Sequence, residues 1–258
     1  MARRPLLALV SAQALRPALR PPSARALVAV AAAAGVLGLL YLVARETPLF
    51  AVRTVEVTGA PPAVRDAVRK ATSAWEGESL VALDGDELRR RLEALPTVRS
   101  IRYDRAFPNT LELAVVPERP AAVVRRDREA WLVSERGRII GPLDPRRSKG
   151  LPRIRVAGGD LRAGAFLTDE RARLAVTAAT HLPGRFPVRV RTIRARDEGV
   201  TLILATGTEV RLGRPDDLPL KMAVAARVLR SMPDGEPLAL AYLDVTVPER
   251  PVAANPKL

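Results

Sequence analysis

The sequence predicts an α+β chain: a single N-terminal transmembrane helix, a small β-α-α-β-β module, then a mainly antiparallel β domain with two helices. Three observations carry this. Residues 26 to 44 run without a charge between Arg25 and Arg45. From Thr54 to Val115 the apolar period switches from two to a helical spacing and back to two. Beyond Arg119, short alternating runs separated by turn residues dominate. The expected divisions are a basic tail at 1–25, a membrane helix at 26–44, a first module at 48–118, a β domain at 119–250 and a tail at 251–258.

The membrane segment follows from length and charge. A helix of residues 26 to 44 covers about 28 Å, close to the hydrocarbon thickness of a bilayer. The residues before it carry Arg3, Arg4, Arg16, Arg20 and Arg25 and no acid, which places the N-terminus in the cytoplasm and everything after Arg45 outside. A signal peptide cleaved after Ala44 is the competing reading; the apolar run and the basic tail are both long for one, which favours an uncleaved anchor.

In the first module, Val55 and Val57 alternate with polar residues until Gly59, giving a strand. Pro61 and Pro62 suit a helix start, and Val64, Val68, Ala71 and Trp75 recur at helical spacing. Asp84-Gly85-Asp86-Glu87 has the form of a capping box ahead of Leu88, Leu92 and Leu95. Ile101 and Tyr103, a Phe107-Pro108-Asn109-Thr110 turn, then Leu111, Leu113 and Val115 read as a hairpin. That order implies helices packed on one face of a three-stranded sheet.

In the second module, Trp131-Leu132-Val133 and Ile139-Ile140 form one expected hairpin, and residues 200–205 with 208–212 another. Thr168 is expected to cap a helix over 169–180, and Asp216 or Asp217 one over about 219–232 with Leu220, Val224 and Val228 on its apolar stripe. After an Asp234-Gly235 turn, Leu238, Leu240 and Tyr242 are in one phase and Leu243, Val245 and Val247 in the other. A bulge near Tyr242 would join them into one final strand.

Composition narrows the function. The net charge is +14, carried almost wholly by Arg, but the Arg residues are scattered and aromatics make up only 3%. Nucleic-acid binders concentrate charge in a patch, often with stacking platforms, so no nucleic acid is expected. There is no Cys, and His181 is the only histidine, at the expected end of a helix. Nucleotide-binding and nucleophile-elbow motifs are missing, and the close carboxylates at 84–87 and 216–217 read as helix caps. No catalytic residue, cofactor, metal site or small-molecule substrate is expected, and Trp75 and Trp131 are assigned to the core.

Several short motifs occur in a specific order. They are Pro48-Leu49-Phe50-x-Val52-x-x-Val55-x-Val57-x-Gly59, then Leu95-Pro96-x-Val98, then Phe107-Pro108-x-Thr110-Leu111-x-Leu113-x-Val115-x-Pro117-Glu118-Arg119. Following one membrane span, this series resembles the POTRA module of the FtsQ/DivIB family of bacterial cell-division proteins, and the resemblance runs from the basic tail to the last strand. Ser79-Leu80-Val81-Ala82-Leu83 departs from the family's more usual loop. The resemblance implies a non-enzymatic divisome scaffold in the inner membrane at the septum, holding the small coiled-coil membrane proteins FtsB and FtsL. It also implies that FtsB adds a strand along Tyr242, Leu243, Asp244, Val245, Thr246, Val247, Pro248, Glu249 and Arg250. Thr246 and Val247 stand where the best-studied relatives carry Arg and Tyr. The alternative is a POTRA-bearing receptor or chaperone for polypeptide translocation. Such proteins place the module before a barrel of many strands, and about 140 residues with helices among them leave little room for one.

The stretch Val-Pro-Glu-Arg-Pro occurs at 116–120 and again at 247–251. Proline lacks a donor and restricts the residue before it, so each copy is expected to end sheet pairing on its side. The flanks do not align, which makes this one device used twice and not a duplication.

Overall fold

The computed structural model describes residues 23–46, 48–143, 150–232 and 240–254. It divides into two units, Met1–Thr47 and Pro48–Leu258. The first contributes α1 (Ala24–Glu46), with a mean hydropathy of 2.5 across Ala24–Val43. Its Leu and Val side chains are exposed all round, the pattern of a helix whose surroundings are themselves apolar. Most of the expected basic tail lies outside the described residues.

From Pro48 onward the chain builds two sheets, each with its own core. The first contains β1 (Thr54–Thr58), α2 (Pro62–Thr72), α3 (Gly85–Ala94), β2 (Val98–Ala106) and β3 (Thr110–Pro117), in strand order β1-β3-β2. The β2–β3 hairpin is antiparallel, and β3 lies parallel to β1. Val57, Leu111, Leu113 and Val115 pack against Val68, Leu88 and Leu92. Trp75 is buried as expected, and Leu80 pins the departing loop into the same core.

Helix α3 begins where the carboxylate of Asp84 accepts from the backbone N–H groups of Glu87 and Asp86, which hold it below the usual carboxylate range. The capping box is incomplete, because Glu87 turns to Arg90 and Arg91. Gly85 is required by close approach: a β-carbon there would fall 1.7 Å from the Tyr103 hydroxyl oxygen.

The second sheet has nine strands in the order β12-β11-β10-β9-β8-β7-β4-β5-β6. They are β4 (Pro120–Arg126), β5 (Glu129–Ser134), β6 (Ile139–Pro142), β7 (Arg153–Arg155), β8 (Val190–Arg196), β9 (Gly199–Leu204), β10 (Glu209–Gly213), β11 (Tyr242–Asp244) and β12 (Val252–Ala254). Both expected hairpins form, as β5–β6 and β9–β10. Pairing is antiparallel except at β4–β7, β7–β8 and β10–β11. Parallel neighbours need a crossover. Helix α4 (Glu170–Thr180) connects β7 to β8, and α5 (Leu218–Ser231) lies between β10 and β11.

One helix start shifts by a residue, and the other has an expected residue at its cap position without the expected cap bond. Asp169, one residue after Thr168, caps α4 by accepting from the N–H groups of Arg171 and Ala172. At α5, Asp217 occupies the cap position in a left-handed conformation (φ 51°) with no side-chain cap bond. Asp216 instead faces the Lys221 ammonium at 3.4 Å. Lys221 is itself buried, donating to the Arg214 carbonyl. The buried stripe of α5 is Leu218, Met222, Ala225 and Leu229, and Leu220 points to solvent.

The two sheets meet at a charged joint. Glu118, between β3 and β4, is buried and accepts from Arg136 Nε at 2.7 Å. Arg138 lies beside it, its side chain only 7% exposed. Arg138 donates to the carbonyls of Val98 (2.8 Å) and Ala94 (2.9 Å) in the first module and Gly164 (3.2 Å) in the second. A guanidinium carries donors in several directions, and here it satisfies a helix-end and a strand carbonyl of the first module and a turn carbonyl of the second at once.

Candidate partner-binding edge

The nine expected contact residues do not form one strand. Tyr242, Leu243 and Asp244 make β11, paired in parallel with Glu209, Val210 and Arg211. The strand stops because the Asp244 carboxylate accepts from the Thr246 N–H at 2.9 Å, closing a local turn. Val247, Pro248, Glu249 and Arg250 then form a second turn, with the Arg250 N–H donating to the Val247 carbonyl at 3.0 Å. Proline at its second position suits that turn, since its fixed φ is what the position requires.

Pro251 leads into β12, which pairs antiparallel with β11 through Tyr242↔Ala254, Leu243↔Ala253 and Asp244↔Val252. The expected tail therefore includes a strand, and the border of the sheet is β12, one strand further out. The expected Asp234-Gly235 turn and Leu238 lie outside the described residues.

Anchoring differs sharply along this segment. Leu243 and Val245 are fully buried in the large core. On the other face the Arg211 guanidinium lies 4.2 Å from the centre of the Tyr242 ring, a cation–π contact. Gly213 packs under Thr246, where a β-carbon would come within 2.6 Å of the Thr246 methyl. In β12 no side chain is buried, and Val252 is 54% exposed. The strand is held by main-chain hydrogen bonds, among them Ala241 N–H to the Ala254 carbonyl at 2.9 Å.

A sheet border of this kind can accept one more strand or exchange its outermost one, giving affinity through the backbone. The border strand was not legible in Val252-Ala253-Ala254; its only signal is the run of prolines that turns the chain before it. For metal chemistry, no group of three or more His, Cys, Asp or Glu residues gathers among the described residues. His181 ends α4 with its backbone N–H donating to the last turn.

The geometry defines a class: an apolar, membrane-compatible helix followed by a β-α-α-β-β module and a mixed β domain with a simple strand at its border. The pattern of the POTRA domain, FtsQ-type, matches residues 50–118. That of the cell division protein FtsQ/DivIB C-terminal region matches residues 122–246. The chain is 31% identical to the cell division protein FtsQ of Anaeromyxobacter sp. (strain K), over 84% of this chain and 76% of that one. It is 27% identical to the FtsQ of Streptomyces bingchenggensis, over 92% and 89%, and 26% identical to that of Caulobacter vibrioides, over 79% and 68%. The chain belongs to the FtsQ family of cell division proteins.

Proposed function

We propose that this chain is a non-catalytic scaffold of the bacterial division machinery at the septum. Its N-terminus is cytoplasmic, α1 crosses the inner membrane once, and residues 48–258 stand outside. It holds FtsB and FtsL, with the principal FtsB contact lying within Tyr242 to Arg250 and made by strand addition on β11. The observation that supports this reading is the weakly anchored border of a sheet that otherwise buries its strands.

Since β12 lies on β11, the incoming strand takes the place of β12. The exchange costs the few main-chain hydrogen bonds of a three-residue strand, and the incoming strand restores them.

A pull-down from solubilised membranes tests this. The bait that stops after Pro251 lacks β12 and is expected to recover at least as much FtsB and FtsL as the full chain. A bait that stops after Ala241 loses β11 and is expected to recover neither, with circular dichroism confirming that its sheets persist. Equal recovery by the two truncated baits would remove β11 as the contact.

A further inference from the structure

A second feature of the large sheet lies away from its border. Strands β4, β7 and β8 run parallel, and their carboxyl ends finish side by side. Arg125 of β4 is in register with Arg155 of β7. Arg153 of β7 is in register with Thr192 of β8, which sets Arg194 beside Arg155 on the same face. Because β7 stops at Arg155 while its neighbours continue, the sheet has a notch of about 760 Å³, backed by Ala172 and Ala175 of α4. Arg196, the last residue of β8, also lines it.

Three like charges in adjacent register positions repel each other. Compensation within the chain is thin: Asp127 is the one carboxylate among the residues that line the notch, and it forms no ion pair among the described residues. Arg194 approaches Glu209 only at 3.9 Å. Arg171, at the rim, is already held by both carboxylate oxygens of Asp197 at 2.8 and 2.9 Å. Among the described residues no carboxylate pairs with Arg125, Arg155 or Arg196. In addition, Nε of Arg125 is buried without a hydrogen-bond acceptor, and a buried donor left unpaired calls for an explanation. Open sheets with parallel strands take ligands outside the carboxyl ends of the strands, and the arginine row lies at those ends, on the face opposite the one that packs α4.

We infer that this notch binds a diphosphate group, with Arg125, Arg155 and Arg194 as its ligands. Neighbouring strands are ~4.8 Å apart, so the three guanidinium groups span ~10 Å. One phosphate bridges two of them; two linked phosphates occupy all three, each accepting the paired donors of an arginine fork. An acidic peptide fits less well. Its same-side carboxylates recur at ~6.8 Å along an extended chain, out of step with the arginine row, and the face of a sheet offers it no strand pairing.

Titration calorimetry of the full chain in detergent, at ~0.15 M salt to suppress diffuse charge attraction, tests the inference. The probes are inorganic pyrophosphate, orthophosphate and hexaglutamate. Pyrophosphate is expected to bind saturably and more tightly than the other two. Arg125→Gln and Arg155→Gln should each weaken it about tenfold, the worth of one charge-assisted hydrogen bond. Arg69→Gln and Arg99→Gln, which remove the same charge from the first module, should leave it unchanged. Unsaturable binding, equal loss in both pairs of variants, or preference for hexaglutamate would overturn the diphosphate assignment.

Discussion

The two Val-Pro-Glu-Arg-Pro copies have the same five residues and different fates. In the first, Pro117 ends β3, Pro120 starts β4, and Glu118 is buried between Arg136 and Arg138. In the second, the same letters make an exposed turn between β11 and β12, and Glu249 has no charged partner among the described residues. The first copy ends β3 at Pro117, as the proline argument expects; the second ends no strand, because β11 has already stopped at Asp244. What differs is supplied from elsewhere in the chain: two arginines on the β5–β6 hairpin make a buried carboxylate tolerable at one site, and nothing does so at the other.

The comparison can be broken by removing that supply. Arg138→Met should cost about 3–5 kcal/mol in urea unfolding, since it leaves Glu118 buried with a single partner and frees three carbonyls. A cost below about 1 kcal/mol, within the range of surface changes, would mean that the joint is not held by this residue. Glu118→Gln keeps the shape and loses the charge; about 1–3 kcal/mol is expected from the unpaired groups it leaves. Gly213→Ala probes the second copy's own support, where a positive φ of 65° and contact with Thr246 predict a loss of about 1 kcal/mol. Adding Thr246→Ala should return part of it. Glu249→Gln, the counterpart of Glu118→Gln, is expected to stay within about 0.5 kcal/mol, and a larger effect would erase the contrast.

Strong periodicity was legible. β1, the β2–β3 and β9–β10 hairpins and α3 follow from alternation, caps and turn residues alone. The misses have specific causes. In β4, residues 121–124 are buried on both faces, so no alternation marks the strand. β7 is three residues long and defined only by its neighbours. In α5, small and large apolar residues surround the helix, and the buried stripe is displaced from the one that Leu220 suggests by a lysine that goes inside. The proposed contact segment, 242–250, was legible as sheet but not as a short strand followed by turns, because the break rests on one hydrogen bond that the Asp244 carboxylate accepts from the Thr246 N–H. Nor could the arginine row be seen, since it arises from register between strands far apart in sequence.

The family pattern ends at residue 246, and β12 begins at 252. A strand attached through its backbone alone places almost no demand on the identity of its residues beyond the capacity to extend. Its letters can drift while the ladder beneath them stays whole, so two relatives can share this border in space and show no likeness there in their alignments. The outermost strand is thus a part of the fold that comparison by sequence is built to overlook.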